Sequence, residues 1–200
     1  MAVARNLGPT RWLRPHTYQT LIGLLAATGL RISEALHLSR GDADLDQGRL
    51  VIRQTKFRKT RWVPLHDSVT LALRLYAKLR DTVFPTLKCD RYFVNDRGTP
   101  LAYSTVRQTF RKLCNQSGIT DLRRRPRLHD LRHTFACRRV EQWLDAGIDL
   151  ARALPALSTY LGHAKVTDTY WYLTATPELL ARAAMRFEGF TKASGGEGKP

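Results

Sequence analysis

The sequence is short of cysteine, of acidic side chains and of long apolar runs. Its three cysteines, Cys89, Cys114 and Cys137, are odd in number and scattered, with no CxxC spacing. That pattern points away from a disulfide framework and from a zinc–thiolate centre, and fits a reducing compartment. The longest apolar patch, Leu21 to Ala27, is far too short to cross a bilayer. The opening MAVARNLGPTRW has no apolar stretch that could serve as a signal peptide. A soluble, intracellular protein without a membrane partner is expected.

The shortage of acid is the most informative absence. Seventeen Asp and Glu stand against thirty-three Lys and Arg, a net charge of +16. Such an excess opposes self-association and concentrates polyanions at the surface. Nucleic acid is the partner class it favours, because each phosphate neutralised by Lys or Arg releases condensed counterions. A merely soluble basic protein is the competing reading. The 43% apolar content is ordinary for a folded domain, and 200 residues can bury a real core.

The periodicity predicts a mainly α protein with a small β-sheet, an α+β class. Tyr18, Leu21, Ile22 and Leu25 share one helical face from Pro15 until Thr28-Gly29 breaks it. A short helix follows near Ile32, and the Asp-rich segment from Gly41 to Gln47 reads as a loop. The period then drops to two. Leu50 to Ile52 and Trp62 to Leu65 form a hairpin whose basic tip is Thr55 to Thr60. Asp67 caps a helix that ends near Phe84, and Tyr92 to Val94 is a brief strand. Helices are expected over Ser104 to Cys114 and Asp130 to Ala146, the latter with Gly147 past its end. Another begins near Asp149 and is bent or ended by Pro155. Thr167 or Asp168 caps a helix through Leu173, and Thr176-Pro177-Glu178 opens a last one. The Gly-rich end is expected to be disordered, giving an N-terminal remnant or linker over 1–14, a folded domain over 15–190 and a tail over 191–200.

Several residues have the chemistry to handle a phosphate, each with a plainer alternative. Arg31 sits at a helix junction, where it can project into a groove, cap a helix C-terminus or pair with Glu34. Lys56 stands on the hairpin tip among Arg53, Arg58, Lys59 and Arg61, suited to a DNA groove or simply solvated. A basic loop follows at Arg123, Arg124, Arg125 and Arg127. His129 and Arg132, three apart, share a helix face and can bind one phosphate, the guanidinium as a fork. His129 and His133 have the four-residue spacing of a metal-binding helix, with His163 the one conceivable third ligand. Tyr170, Trp171 and Tyr172 read locally as core aromatics or as a source of a tyrosine nucleophile.

Taken in order, TGLRISEAL (28–36), TKFRKTRWVPL (55–65), RLHDLRHTFA (127–136) and LGHAKVTDTYWYL (161–173) resemble the tyrosine recombinase, or phage integrase, family. The agreement extends to spacing: His129 and Arg132 form an HxxR, and Tyr172 lies nine residues after His163. It covers roughly residues 15–188. The resemblance implies the family's catalytic-domain architecture and a DNA strand exchange that runs through a 3′-phosphotyrosyl link without metal, nucleotide or other cofactor. It implies that Arg31 and Arg132 clamp the nonbridging oxygens, that Lys56 protonates the departing 5′-oxygen, and that His163 hydrogen-bonds the phosphate. Tyr172 would be the nucleophile, with Tyr170 a less favoured candidate, and His129 its proton acceptor or positioner. Glu34 and Asp130 would orient their neighbours. Double-stranded DNA, a tetramer on paired sites and a bacterial, cytoplasmic, nucleoid-associated location follow by the same resemblance. The family's C-terminal helix often docks on a neighbouring subunit, and Thr176 to Phe190 could do so or cover its own core. Family members usually carry a further N-terminal helical domain. Only about fourteen residues precede the first helix here, so the chain by itself is expected to cleave slowly and not to recombine two sites. A DNA-binding integrase fragment without turnover is the alternative, and a metallohydrolase on His129 and His133 a third.

Overall fold

The computed structural model describes residues 13–53, 60–119, 125–163, 165 and 167–169. Two compact units divide the chain, Met1–Phe135 and Ala136–Pro200.

In the first unit, α1 (Leu13–Thr28) begins two residues before the expected Pro15. It buries Leu21, Leu24 and Leu25 along one side. Gly29, at φ 63°, ends it, and its N–H bonds back to the Leu25 carbonyl at 2.9 Å. A residue in the left-handed region stops a helix in this way, and glycine adopts that conformation without a side-chain clash. The chain turns at once into α2 (Ile32–His37). The Asp-rich stretch expected as a loop is in fact more ordered. Arg40–Asp42 forms a 3-10 turn and Ala43–Asp44 a two-residue strand, β1. Asp42 makes this possible, since its carboxylate accepts both the Ser39 N–H and its hydroxyl.

β1 pairs with β2 (Arg49–Ile52), which pairs with β3 (Arg61–Pro64), all antiparallel. The register sets Leu50 opposite Val63 and Ile52 opposite Arg61. Alternation sends Leu50, Ile52 and Val63 to the core and leaves Trp62 outside, under the Arg49 guanidinium at 4.5 Å.

Helix α3 (Asp67–Val83) packs on α1 and buries Leu73 and Tyr76. Its cap is His66, one place before the expected Asp67, with its Nδ1 accepting the Ser68 N–H, and Asp67 is the first helical residue. Tyr76, Tyr92 and Phe93 form an aromatic cluster with centroids 5.2–6.0 Å apart. The Tyr92–Val94 segment is not a strand. It is flanked by two isolated bridges, Ser39 with Arg91 and Val94 with Pro100. Buried Arg80 holds it by donating to the Tyr92 carbonyl at 2.8 Å. Helix α4 (Tyr103–Gln116) follows as a clear amphipathic helix burying Val106, Phe110 and Leu113.

Helix α5 (Leu128–Asp145) starts in the first unit and continues into the second. In the second unit it buries Ala136, Val140 and Leu144. Helix α6 (Leu150–Leu161) is capped by Asp149, which accepts the Ala151 N–H at 2.9 Å. It passes straight through Pro155, which was expected to bend or end it. Pro155 lies on the exposed side, while Leu154, Leu157 and Leu161 are buried on the other. The lost backbone bond is thus on the wet face, and burial of the leucines keeps the helix together. Residues 167–169 are helical, so the helix expected there begins no later than Thr167 and neither Thr167 nor Asp168 is its cap. The rest of that helix, the one from Thr176 and the tail lie outside the described residues. Among the described residues no helix is long and apolar enough to cross a membrane.

Candidate active site

Arg31 occupies the N-cap position of α2, in extended backbone, immediately after the Gly29 turn. Glu34, three residues on, reaches back to it. One carboxylate oxygen accepts the Arg31 N–H at 3.0 Å and the other accepts its Nη1 at 3.0 Å. The same carboxylate is gripped on both oxygens by Arg61, at 2.9 and 2.8 Å. Burial alone would raise the Glu34 pKa, but Arg61 and Arg31 together outweigh it and hold the carboxyl below its ordinary value. Glu34 is therefore an anion at neutral pH.

The α5 start repeats the device. Asp130 accepts the Arg127 N–H at 2.8 Å and its side chain at 3.1 and 3.2 Å. An acid three residues after an arginine at a helix start thus fixes both the helix end and the arginine, at residues 31 and 34 and again at 127 and 130.

Arg132, one turn into α5, is 2% exposed and donates Nη1 to the Gly29 carbonyl at 2.8 Å. This bond joins α5 to the junction that carries Arg31. His129, on the same face of α5, is exposed. Partial burial, then the positive charges of Arg132, Arg127 and Arg31 against Asp130, hold its pKa below the usual imidazole value. The free protein therefore presents His129 as a neutral base. Beside Arg31 a cleft of about 880 Å³ opens, lined also by Ser33, Glu34, His37, Arg53 and Arg91. Arg53 is paired with Asp42, whose carboxyl is lowered by Ser39 and Arg53 against the opposing effect of burial.

In the second unit, His163 follows the α6 cap Gly162, at φ 69°, and its N–H bonds to the Ser158 carbonyl at 3.0 Å. Its Nδ1 lies 2.8 Å from the hydroxyl of Thr169, which is fully buried. That contact fixes the ring orientation.

The structure thus brings Arg31, Glu34, His129 and Arg132 into one electrostatic cluster, with Asp130 at its edge. Arg125 and Arg127 are exposed at the start of α5. Lys56, Arg58, Lys59, Arg123, Arg124, Tyr170 and Tyr172 lie outside the described residues. Among the described residues no three His, Cys, Asp or Glu side chains gather as a metal would require. Sequence reasoning gave no role to Thr169 or to the Gly29 carbonyl, and set Arg61 among groups awaiting DNA. The alternation of Arg61 with exposed Trp62 and buried Val63 was the available signal that Arg61 faces inward.

The phage integrase family profile matches residues 13–178. The chain belongs to the phage integrase family of tyrosine recombinases. It is 44% identical over 181 residues to the integrase/recombinase-like protein y4rE of Sinorhizobium fredii, covering 90% of this chain and 58% of that one. It is 32% identical over 155 residues to tyrosine recombinase XerD of Neisseria meningitidis serogroup A, covering 77% and 49%. The crystal structure of XerH site-specific recombinase bound to a palindromic difH substrate superposes with a TM-score of 0.70 at 24% identity, over 94% of this chain and 50% of that one. The chain therefore spans about half the length of the curated relatives it matches.

Proposed function

We propose that this chain is the catalytic domain of a site-specific recombinase that cuts and rejoins double-stranded DNA through a 3′-phosphotyrosine. The observation that carries the reading is the pairing of a buried Arg132 with the Gly29 carbonyl next to Arg31, with both guanidinium charges acting on a neutral His129. Two forked cations beside an unprotonated imidazole suit a phosphodiester in displacement better than a metal ion, which positive neighbours would repel.

In the reaction, the Tyr172 oxygen attacks phosphorus and its proton passes to His129. The bond from phosphorus to the 5′-oxygen breaks, and Lys56 supplies that oxygen's proton. Arg31 and Arg132 hold the two nonbridging oxygens, and His163 offers a further hydrogen bond. The 5′-hydroxyl of a partner strand reverses each step, so bond energy is conserved. Arg53, Arg58, Lys59, Arg123, Arg124, Arg125 and Arg127 contact the DNA backbone. The net charge of +16 supports this partner, and the XerH site-specific recombinase, which has the same fold, was crystallised bound to a palindromic difH substrate. Assembly as a tetramer on paired sites, in the bacterial cytoplasm at the nucleoid, completes the proposal.

The test is a pool of nicked suicide duplexes of randomised sequence, incubated with the protein in excess chelator and run on a denaturing gel. A covalent protein–DNA band that disappears in Tyr172→Phe and in Arg132→Gln is expected. Cleavage without any band, or a band unaffected by Tyr172→Phe, would overturn the mechanism.

A further inference from the structure

Arg61 was grouped by sequence with the hairpin cations, yet its position in the sheet is wrong for a surface contact. In β3 the side chains alternate, with Trp62 63% exposed and Val63 fully buried. Arg61 shares the inward face with Val63, opposite Ile52, and its side chain is only 10% exposed. At that inward position its two terminal nitrogens lie on the two oxygens of Glu34, while the same oxygens hold the Arg31 main chain and guanidinium. Arg31, three times as exposed, lines the cleft together with Glu34, and Arg61 is not among the described residues lining it.

We propose that Arg61 is a positioning residue for Arg31, acting through Glu34, and not a DNA contact. This assignment rests on the reading of Arg31 as a phosphate clamp. A carboxylate held at both oxygens cannot rotate, so the Arg31 fork stays aimed. Lysine cannot substitute, because a single ammonium cannot span both carboxylate oxygens.

Two readouts separate this role from a DNA contact. The first is binding to a random-sequence duplex as a function of salt. Loss of one phosphate contact lowers the slope of log affinity against log salt by about 0.9. Arg61→Gln is expected to leave that slope unchanged, while Lys59→Gln lowers it. The second is the rate of covalent adduct formation on the suicide-duplex pool. Arg61→Gln and Arg61→Lys are both expected to slow it by roughly tenfold to a hundredfold, the scale set by a misaimed catalytic group. Glu34→Gln combined with Arg61→Gln is expected to be no slower than the worse single variant, since both act through one contact. This double variant also removes the stranded charge, should Arg61→Gln alone fold poorly. A lower salt slope, or full activity in Arg61→Lys, would overturn the proposal. If the wild type forms no adduct, the recombinase reading fails while the salt slope still decides whether Arg61 touches DNA.

Discussion

Glu34 shows how much one side chain can organise. It is 7% exposed and meets two guanidinium groups and a backbone N–H. Glu34→Ala leaves Arg61 charged and nearly buried without its anion, a loss expected to cost about 3–5 kcal/mol of stability. Denaturant midpoints of the two proteins measure it directly, and a change under about 1 kcal/mol would contradict the network's importance. The pH dependence has a definite sign. Because the folded pKa of Glu34 lies below its ordinary value, its contribution is complete above about pH 4.5 and is lost as the pH falls through the folded pKa. His129 behaves alike for a base: its folded pKa is depressed, so its neutral form persists below pH 6.5. An NMR titration of its ring is expected to give a midpoint below that value, moving upward when a DNA duplex supplies negative charge. A midpoint above 6.5 in the free protein would contradict the arrangement of Arg31, Arg127 and Arg132 around it.

The elements explain why these residues meet. Arg31 is set by a helix stop and a helix start with only three residues between them, the first of which, Gly29, is in the left-handed region. Gly29→Ala is expected to cost about 1–2 kcal/mol for a side chain at positive φ, seen as a lower denaturation midpoint. It also shifts the carbonyl that Arg132 holds, so adduct formation should slow as well. Much of this was legible beforehand. The break at Thr28-Gly29, the HxxR face and the two main strands follow from local periodicity and turn chemistry, which need no tertiary partner. What was not legible depends on contacts distant in sequence. Arg132 finds Gly29 across 103 positions, and Arg61 finds Glu34 across 27. Pro155 argued locally for a helix end, and the buried face of α6 overrode it. The Asp42 turn was hidden because its order comes from Ser39 and Arg53, not from propensity.

Across the chain, the excess of cations has two populations. Arg80, Arg61 and Arg132 are nearly buried and serve structure or the cluster, whereas Arg53, Arg125 and Arg127 are exposed. Cations of the first kind that serve structure, such as Arg80, release no counterions from DNA, so formal charge overstates the number of phosphate contacts. The central claim, that DNA is joined to Tyr172 through a 3′-phosphate, is tested most directly by mapping the adduct. The protein is trapped on suicide duplexes in chelator and digested with protease, and the DNA-linked peptide is sequenced by mass spectrometry. A nucleotide carried on Tyr172 through its 3′-phosphate, with a 5′-hydroxyl on the released strand, is the expected result. A linkage on Tyr170 or another residue, or a 5′-phosphate attachment, would contradict the account.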